Sequence, residues 1–345
     1  MLRKKVRKFI DANVYEEAIN RIHHIYDTFD TIVVLFSGGK DSLATLHLVK
    51  EVAEARNLRM PINVIFRDEE LINEVVVDFV NQYRKLEWVS MNYFAVPMYS
   101  QKYVLGTNTT YVQWDKSRKH IRPIPKHAIQ TTDADGRVFS QTKMDSYMST
   151  FYKGKIAFVN GIRSSESLTR YASCMAKLNE NYINDTKANT PNVRLCKPIF
   201  DWQEDDVFKY FYDNKIEYCN IYDWQMWNSE SLRVATPVHA ENAKRFYKLR
   251  TLDPTLYEQI IDVFPDMIVQ DRYAKEFDST KIKKLYDKDL QSVLRWIKIY
   301  VADPKQKHEA YYRFKDPTGY SVEHILNYFM SGAYKRRIIP LSKKE

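Results

Sequence analysis

The spacing of apolar positions changes period several times along the chain, and each change predicts an element. Between residues 6 and 29, Phe9, Ile10, Val14, Ala18, Ile22, Ile25 and Phe29 recur at helical spacing and predict one or two helices. A β-branched run, Ile32–Phe36, then reads as a strand. It stops abruptly at Ser37-Gly38-Gly39-Lys40-Asp41-Ser42 and passes into a second helical pattern carried by Leu43, Ala44, Leu46, Leu48, Val49, Val52 and Ala53. Further strands are predicted at Ile62–Phe66, near Asn92–Val96 and at Lys155–Val159, with helical patterns over 43–58 and 71–87. Apolar strands alternating with amphipathic helices imply an α/β fold, a doubly wound parallel sheet covered on both faces, with ligands at the carboxyl ends of its strands.

Two regions depart from this rhythm. Residues 97–150 carry Pro97, Gly106, Pro123, Pro125 and Gly136 among many Thr, Ser and Asp, without sustained period. A long irregular insertion is expected there, either facing substrate or making a surface excursion without a role. After Pro198–Trp202, the run Asp205–Asp206–Val207–Phe208–Tyr210–Phe211 predicts an amphipathic helix with acids in its first turn. From about residue 226 the pattern is helical and Lys-rich, punctuated by Pro237, Pro254 and Pro265. The chain is thus expected to comprise N-terminal helices (1–30), an α/β domain (31–225) with the insertion at 97–150, and a mainly helical region (226–345).

Composition narrows the class. Apolar residues make up 44% of 345, and no window approaches the roughly 18 apolar residues of a membrane span. The basic N-terminus does not lead into an apolar stretch with a small-residue cleavage site, so it does not read as a secretion signal. Cys174, Cys196 and Cys219 are widely spaced with no Cys-x-x-Cys, which fits a reducing, cytoplasmic setting and argues against a disulfide or zinc framework. A formal charge of +9 favours polyanionic partners, nucleotides and nucleic acids alike. That charge gathers at residues 3–8, at Lys116–Lys119 with Arg122 and Lys126, and in the tail around Lys335–Arg337.

The strongest chemical signal is the Ser37–Ser42 loop. A strand that delivers small residues to a helix N-terminus converges backbone N–H groups on an anion, and the helix dipole adds positive potential. Lys40 contributes a point charge; Ser37 and Ser42 contribute hydroxyls. The commoner phosphate loop needs a Gly where Val34 stands and a Ser or Thr where Asp41 stands. This shorter loop suits a pyrophosphate. Asp41 reads either as a helix-capping carboxylate or as a group near Mg²⁺. After the fourth strand comes Gly161–Ile162–Arg163–Ser164–Ser165–Glu166–Ser167–Leu168–Thr169–Arg170. Arg163 and Arg170 read as a guanidinium clamp for an oxyanion, with Glu166 ordering Arg170 at i,i+4 spacing, or as a salt-bridged helix start. Asp68, Glu69 and Glu70 follow the second strand, where a carboxylate meets ribose hydroxyls or a metal, or simply starts a helix. His23, His24 and His47 lie on helices and read as structural or exposed. Cys174 is a candidate thiol near the site or a small core hydrophobe.

The Ser37–Ser42 loop resembles the PP-loop of ATP pyrophosphatases. Together with Gly161–Arg170, Lys197–Pro198–Ile199–Phe200–Asp201–Trp202 and Asp205–Phe208, it resembles the phosphoadenosine phosphosulfate (PAPS) reductase family over roughly residues 20–225. The stretch Leu232–Pro237 is similar to the immunoglobulin-binding-regulator type branch of phages and bacteria. The resemblance implies an adenine nucleotide alpha hydrolase-like fold. It implies ATP, with Mg²⁺, on Phe36, Ser37, Gly38, Gly39, Lys40, Asp41, Ser42, Asp68, Gly161 and Arg163. Lys40, Arg163 and Arg170 would then carry adenylyl transfer with release of pyrophosphate, and Asp41 is the candidate metal ligand. A ParB-like/sulfiredoxin-like protein partner is implied by resemblance, and nucleic acid stays open. The family's C-terminal Glu-Cys-Gly-type motif and its iron–sulfur cysteine set are missing from this sequence, so no cluster is expected. Sulfonucleotide reduction with an unusual thiol, and nucleotide sensing without turnover, are the alternatives.

Overall fold

A computed structural model describes residues 10–105, 107–130, 137–166, 168–175, 180, 182–186, 190–274 and 290–301, with a few positions up to 311. The described residues form two compact units. One comprises those up to Tyr99 with Val112–Thr236; the other comprises Ser100–Tyr111 with the described residues from Pro237 on.

The first unit is built on a six-stranded sheet. Strand β1 (Thr31–Leu35) lies at its centre, flanked by β2 (Ile62–Arg67) and then β3 (Val89–Phe94) on one side. On the other side come β6 (Ile156–Val159), β8 (Val193–Cys196) and the edge strand β7 (Ile183–Asp185). All pairings are parallel except β7 with β8. The register aligns Val34 with Val64 and with Val159. The chain runs outward from β1 to β2 and β3 and then restarts at β6 on β1's other side. The gap between the ends of β1 and β6 is therefore the topological switch point at which such sheets bind ligands.

The pleat explains why these runs are so apolar. Val34, Val64 and Ala157 join one core cluster, while their neighbours Val33, Ile65 and Phe158 join another, as alternate residues on a strand must. The first cluster is roofed by α1 (Val14–Thr28), α2 (Lys40–Ala55), α3 (Glu74–Arg84) and α6 (Glu204–Asn214). Ile22 and Ile25, Leu46 and Val49, Val76 and Val80, and Val207 and Phe211 supply the contacts. The second is closed by Met144 and Met148 of α4 (Gln141–Ser149). The expected α/β, doubly wound arrangement is present.

Residues 97–150 are only in part the irregular stretch expected. They hold β4 (Met98–Val104) hydrogen-bonded to β5 (Thr107–Gln113) as a separate hairpin, and then α4, whose N-cap Ser140 accepts from the Lys143 N–H. Their polar Ser, Thr and Gln positions hide the strand period, and α4 buries only its two methionines. The short β7 and β8, the latter carrying Arg194, were likewise not predicted. Between β6 and β7 lies α5 (Leu168–Met175); α7 (Ile221–Trp227) follows α6.

The second unit collects α8 (Ala240–Ala243), α9 (Phe246–Leu252), α10 (Pro254–Val263), α11 (Met267–Tyr273) and α12 (Leu290–Tyr300). Asp253 caps α10 by accepting from the Leu256 N–H, with Pro254 at the first helical position. The hairpin tip joins this unit: Leu105 N–H donates to Gln270 Oε1 at 2.7 Å, and Lys102 pairs with Asp266.

His47 of α2 is packed edge-on against Tyr83 and Trp88, with its Nε2 2.9 Å from the Tyr83 hydroxyl. Burial lowers its pKa from 6.5 to about 4. The unfolded chain binds a proton below pH 6.5 that the folded chain refuses until about pH 4. The neutral ring's contribution is therefore complete above pH 6.5 and lost as pH falls toward 4. Urea unfolding at pH 7.5 and 4.5 is expected to show His47→Gln with a shallower acid loss than the parent, by on the order of 2 kcal/mol. Equal losses would remove His47 from the acid transition.

Candidate functional site

Strand β1 ends at Leu35, and the loop that follows turns directly into α2, whose N-cap is Gly39. Phe36 continues the sheet, its N–H donating to Ile65 O at 2.8 Å, while its ring packs on Phe79 and Tyr83. Gly38 has φ +75°, and a Cβ there would come within 2.8 Å of Val76 and 2.9 Å of Val80 on α3. No side chain fits, so the loop lies flat against α3. Ser37 and Ser42 brace it internally: their hydroxyls are 3.0 Å apart, and Ser42 Oγ also accepts from the Ser37 N–H at 3.1 Å. The first-turn amides of α2 have no carbonyl within the helix to bond.

Strand β6 brings the second motif to the same place. A Cβ on Gly161 would lie 2.4 Å from the Asp41 carbonyl carbon and oxygen and 2.7 Å from the Ser42 nitrogen. The two loops therefore touch backbone to backbone across the switch point. Arg163 is buried beside them and donates from Nε to Asp41 Oδ1 at 2.6 Å. Glu166 accepts the Arg163 N–H at 3.2 Å and pairs with Arg170 four residues on. Arg163 is 4% exposed by side chain and Arg170 45%, so one guanidinium is fixed inside the site and the other stands at its rim.

Lys40 is also buried. Its Nζ donates to Leu232 O at 2.7 Å and lies 3.2 Å from Glu204 and 3.5 Å from Asp41. Its N–H donates to the Tyr222 hydroxyl at 2.7 Å. Glu204 reaches Arg163 as well, at 3.9 Å. Two cations and two carboxylates thus balance around the loop. Neither Glu204, Tyr222 nor the Leu232 carbonyl was singled out from the sequence as a partner of Lys40. The acidic first turn of α6 was the one signal pointing toward Glu204.

Asp41 does not cap α2, which has no side-chain cap hydrogen bond; it holds Arg163 instead. That donor set does not fit a resident metal. Among the described residues, no group of three or more His, Cys, Asp or Glu side chains could hold one.

Asp68 is 2% exposed at the end of β2. Both its carboxylate oxygens accept from Arg122, at 2.5 and 2.9 Å, and Tyr93 Oη donates to Oδ2 at 2.5 Å. Glu70 is fully buried and holds Arg118 bidentately at 2.6 and 2.8 Å, besides the Trp114 N–H at 2.7 Å. Two arginines of the basic cluster are thereby tied to the carboxyl edge of the sheet. Cys174, Cys196 and Cys219 are all buried, and burial pushes the Cys174 thiol above its ordinary value.

Beside the loop, between the ends of β1 and β2, is a cleft of about 190 Å³. Phe36, Ile65, Ile72, Met148 and Val234 give it apolar walls; Ser37, Asp145 and the ion-paired Arg67 and Glu69 supply its polar groups.

A family model described as the phosphoadenosine phosphosulfate reductase domain matches residues 31–229. The chain belongs to that family. It is 28% identical over 264 residues to the Escherichia coli (strain K12) uncharacterized protein YbdN, covering 71% of this chain and 64% of that one. The match thus spans less than two thirds of the relative's length. Among solved structures, a Candida glabrata FMN adenylyltransferase in complex with FMN and an ATP analogue aligns with a TM-score of 0.40 and 15% identity, over 64% of this chain and 65% of that one. A Candida auris PAPS reductase in a phosphate complex aligns with a TM-score of 0.36 and 11% identity, over 66% and 97%. Among the described residues, no helix is long and apolar enough to cross a membrane.

Proposed function

We propose that this chain binds ATP and cleaves it between the α and β phosphates, transferring the adenylyl group to an acceptor and releasing pyrophosphate. The observation that carries this reading is the backbone contact of Gly161 with Asp41. It sets a buried Lys40 and a buried Arg163 on one anion-binding loop at the switch point of the sheet.

Adenine enters the cleft lined by Phe36 and Ile65, and the pyrophosphate portion lies on Ser37–Ser42. There the amides of Gly38 and Gly39, the two serine hydroxyls and Lys40 meet its oxygens. Mg²⁺ would come with ATP as part of the substrate and would offset charge on its phosphates. An acceptor oxygen attacks the α-phosphorus, the bond to the bridging oxygen breaks, and pyrophosphate leaves with that electron pair. Such a reaction needs positioning and charge stabilisation rather than a protein nucleophile. Arg163 faces the α-phosphate, with Asp41 fixing its plane, and Arg170 at the rim meets an acceptor oxyanion. Burial of Cys174 supports this reading over reduction by a protein thiol. Membership of the immunoglobulin-binding-regulator type branch, with a ParB-like/sulfiredoxin-like partner in the cytoplasm, is part of the same proposal and rests on the Leu232–Pro237 stretch.

Calorimetric titration with ATP and Mg²⁺, and separately with PAPS, tests it. Lys40→Ala is expected to weaken ATP binding by about 2 kcal/mol, roughly thirtyfold, as for loss of a charged hydrogen bond. Unchanged affinity would remove the loop from the mechanism, and preference for PAPS would favour sulfonucleotide chemistry.

A further inference from the structure

Three contacts to the loop come from one short piece of chain. The Tyr222 hydroxyl of α7 accepts the Lys40 N–H at 2.7 Å, and the Leu232 carbonyl accepts Lys40 Nζ at 2.7 Å. Val234 comes within 3.7 Å of the position a Gly39 Cβ would take, and with Ala235 it forms a wall of the cleft. These points are mechanically joined. Gln225 of α7 donates from Nε2 to the Arg233 carbonyl at 2.8 Å and accepts the Arg233 N–H through Oε1 at 3.0 Å. The segment 219–236 is thus a strap across the loop, pinned by Tyr222 at one end and by Leu232–Ala235 at the other.

Chemically, the strap holds groups that a phosphate needs. An oxygen hydrogen-bonded to the first amide of a helix occupies the position a bound anion's oxygen takes. A carbonyl oxygen on a lysine Nζ does the same for that charge. The cleft's volume of about 190 Å³ also falls below the ~300 Å³ at which ligand pockets begin. Retreat of Val234 and Ala235 would enlarge it. Tyr222 is 2% exposed, so its hydroxyl does not leave the loop unless α7 shifts.

Building on the reading of Ser37–Ser42 as a pyrophosphate site, we propose that the 219–236 strap is an autoinhibitory contact. The Tyr222 hydroxyl and the Leu232 carbonyl stand in for phosphate oxygens, and nucleotide binding displaces them together. Occupancy of the loop is thereby transmitted to α7, whose Trp227 is 79% exposed and Trp224 36%.

Tyr222→Phe keeps the ring and removes only the competing oxygen. Isothermal titration of the full chain and of this variant with ATP plus Mg²⁺, and with inorganic pyrophosphate, discriminates by sign. Tighter binding by Tyr222→Phe, about three- to tenfold as for one hydrogen bond, is the expected result. Equal or weaker binding with an unchanged melting temperature overturns the proposal and makes Tyr222 a support of the loop. If the parent binds neither ligand, the pyrophosphate-site reading fails and this inference fails with it. Hydrogen exchange of the parent protein is independent of whether the variant folds. Severalfold faster exchange of the 219–236 amides on adding pyrophosphate is expected, and unchanged or slower exchange with pyrophosphate bound overturns displacement.

Discussion

Replacing Asp68 by alanine is expected to lower stability by about 3–5 kcal/mol, the range for breaking a buried ion pair and stranding its partner. For a unit of this size that corresponds to a fall of roughly 10 °C in melting temperature. Arg122 would keep its place above the Trp114 ring, 4.9 Å from the centroid, but lose both carboxylate oxygens, and the Tyr93 hydroxyl would lose its acceptor. Burial and the Asp68 carboxylate raise the Tyr93 pKa, so that hydroxyl stays a donor at any physiological pH. The neighbouring backbone depends on the same knot. Glu70 and Trp114 hold φ of 62° and 50°, conformations that cost on the order of 1 kcal/mol each and persist only where the surroundings fix them. Differential scanning calorimetry of Asp68→Ala, beside the double variant Asp68→Leu with Arg122→Met, checks the argument. The double variant is expected to recover part of the loss, because apolar replacement of both partners leaves no unpaired charge. An unchanged melting temperature with a selective loss of ATP affinity would instead return Asp68 to the ribose.

That knot also shows where sequence reading stops. The carboxylates after β2 were legible as a cluster at the right edge of the sheet. Their partners, Arg118 and Arg122, lie about fifty residues further on, in a segment with no period. Strands β1, β2 and β6 were legible because they are covered on both faces and read as apolar runs, whereas the edge strand β3, with Ser90 exposed and Asn92 in its middle, was read only from its apolar end onward. Strands β7 and β8 are three and four residues long and include Asp185 and Arg194, too short and too polar to announce themselves. The loop and the Gly161–Arg163 turn were legible because their chemistry sits in consecutive residues. What surrounds Lys40 was not. Tyr222 and Leu232 are 182 and 192 positions away, and only the fold brings them onto the lysine. The pairing of Arg163 with Asp41, 122 positions apart, likewise gives a guanidinium partner to a carboxylate that the sequence offered as a helix cap or a group near Mg²⁺.

These contacts make the loop a balanced electrostatic assembly rather than an open positive patch. Lys40 and Arg163 are each neutralised by Asp41 or Glu204 at 2.6–3.9 Å. A polyphosphate would therefore compete with Glu204, half-exposed at the start of α6, more readily than with Asp41, which is 18% exposed. On the proposed reading, nucleotide selection would rest on geometry. A single anionic oxygen would replace Glu204 on Lys40, whereas a pyrophosphate would also reach the serine hydroxyls and the loop amides.

Gly161→Ala is accordingly expected to do more harm to the proposed reaction than to the binding of its phosphates. The new methyl would overlap the Asp41 carbonyl and the Ser42 nitrogen at 2.4 and 2.7 Å, and both are backbone atoms that no rotamer change can clear. The β6 loop must therefore back away from the start of α2 by on the order of 1 Å, carrying Arg163 out of reach of Asp41. A displacement of that size costs about a hundredfold in a reaction that depends on alignment, and the overpacking adds about 1–3 kcal/mol of destabilisation. Two measurements separate these effects. The rate of pyrophosphate release from ATP is expected to drop by about two orders of magnitude at a temperature where circular dichroism shows the variant folded. Affinity of Ser37–Ser42 for inorganic pyrophosphate alone, which does not require Arg163 on the α-phosphate, is expected to change by less than tenfold. A parental rate in Gly161→Ala would mean that the close approach of the two loops has no part in aligning the nucleotide, and Arg163 would have to be assigned a purely structural place beside Asp41.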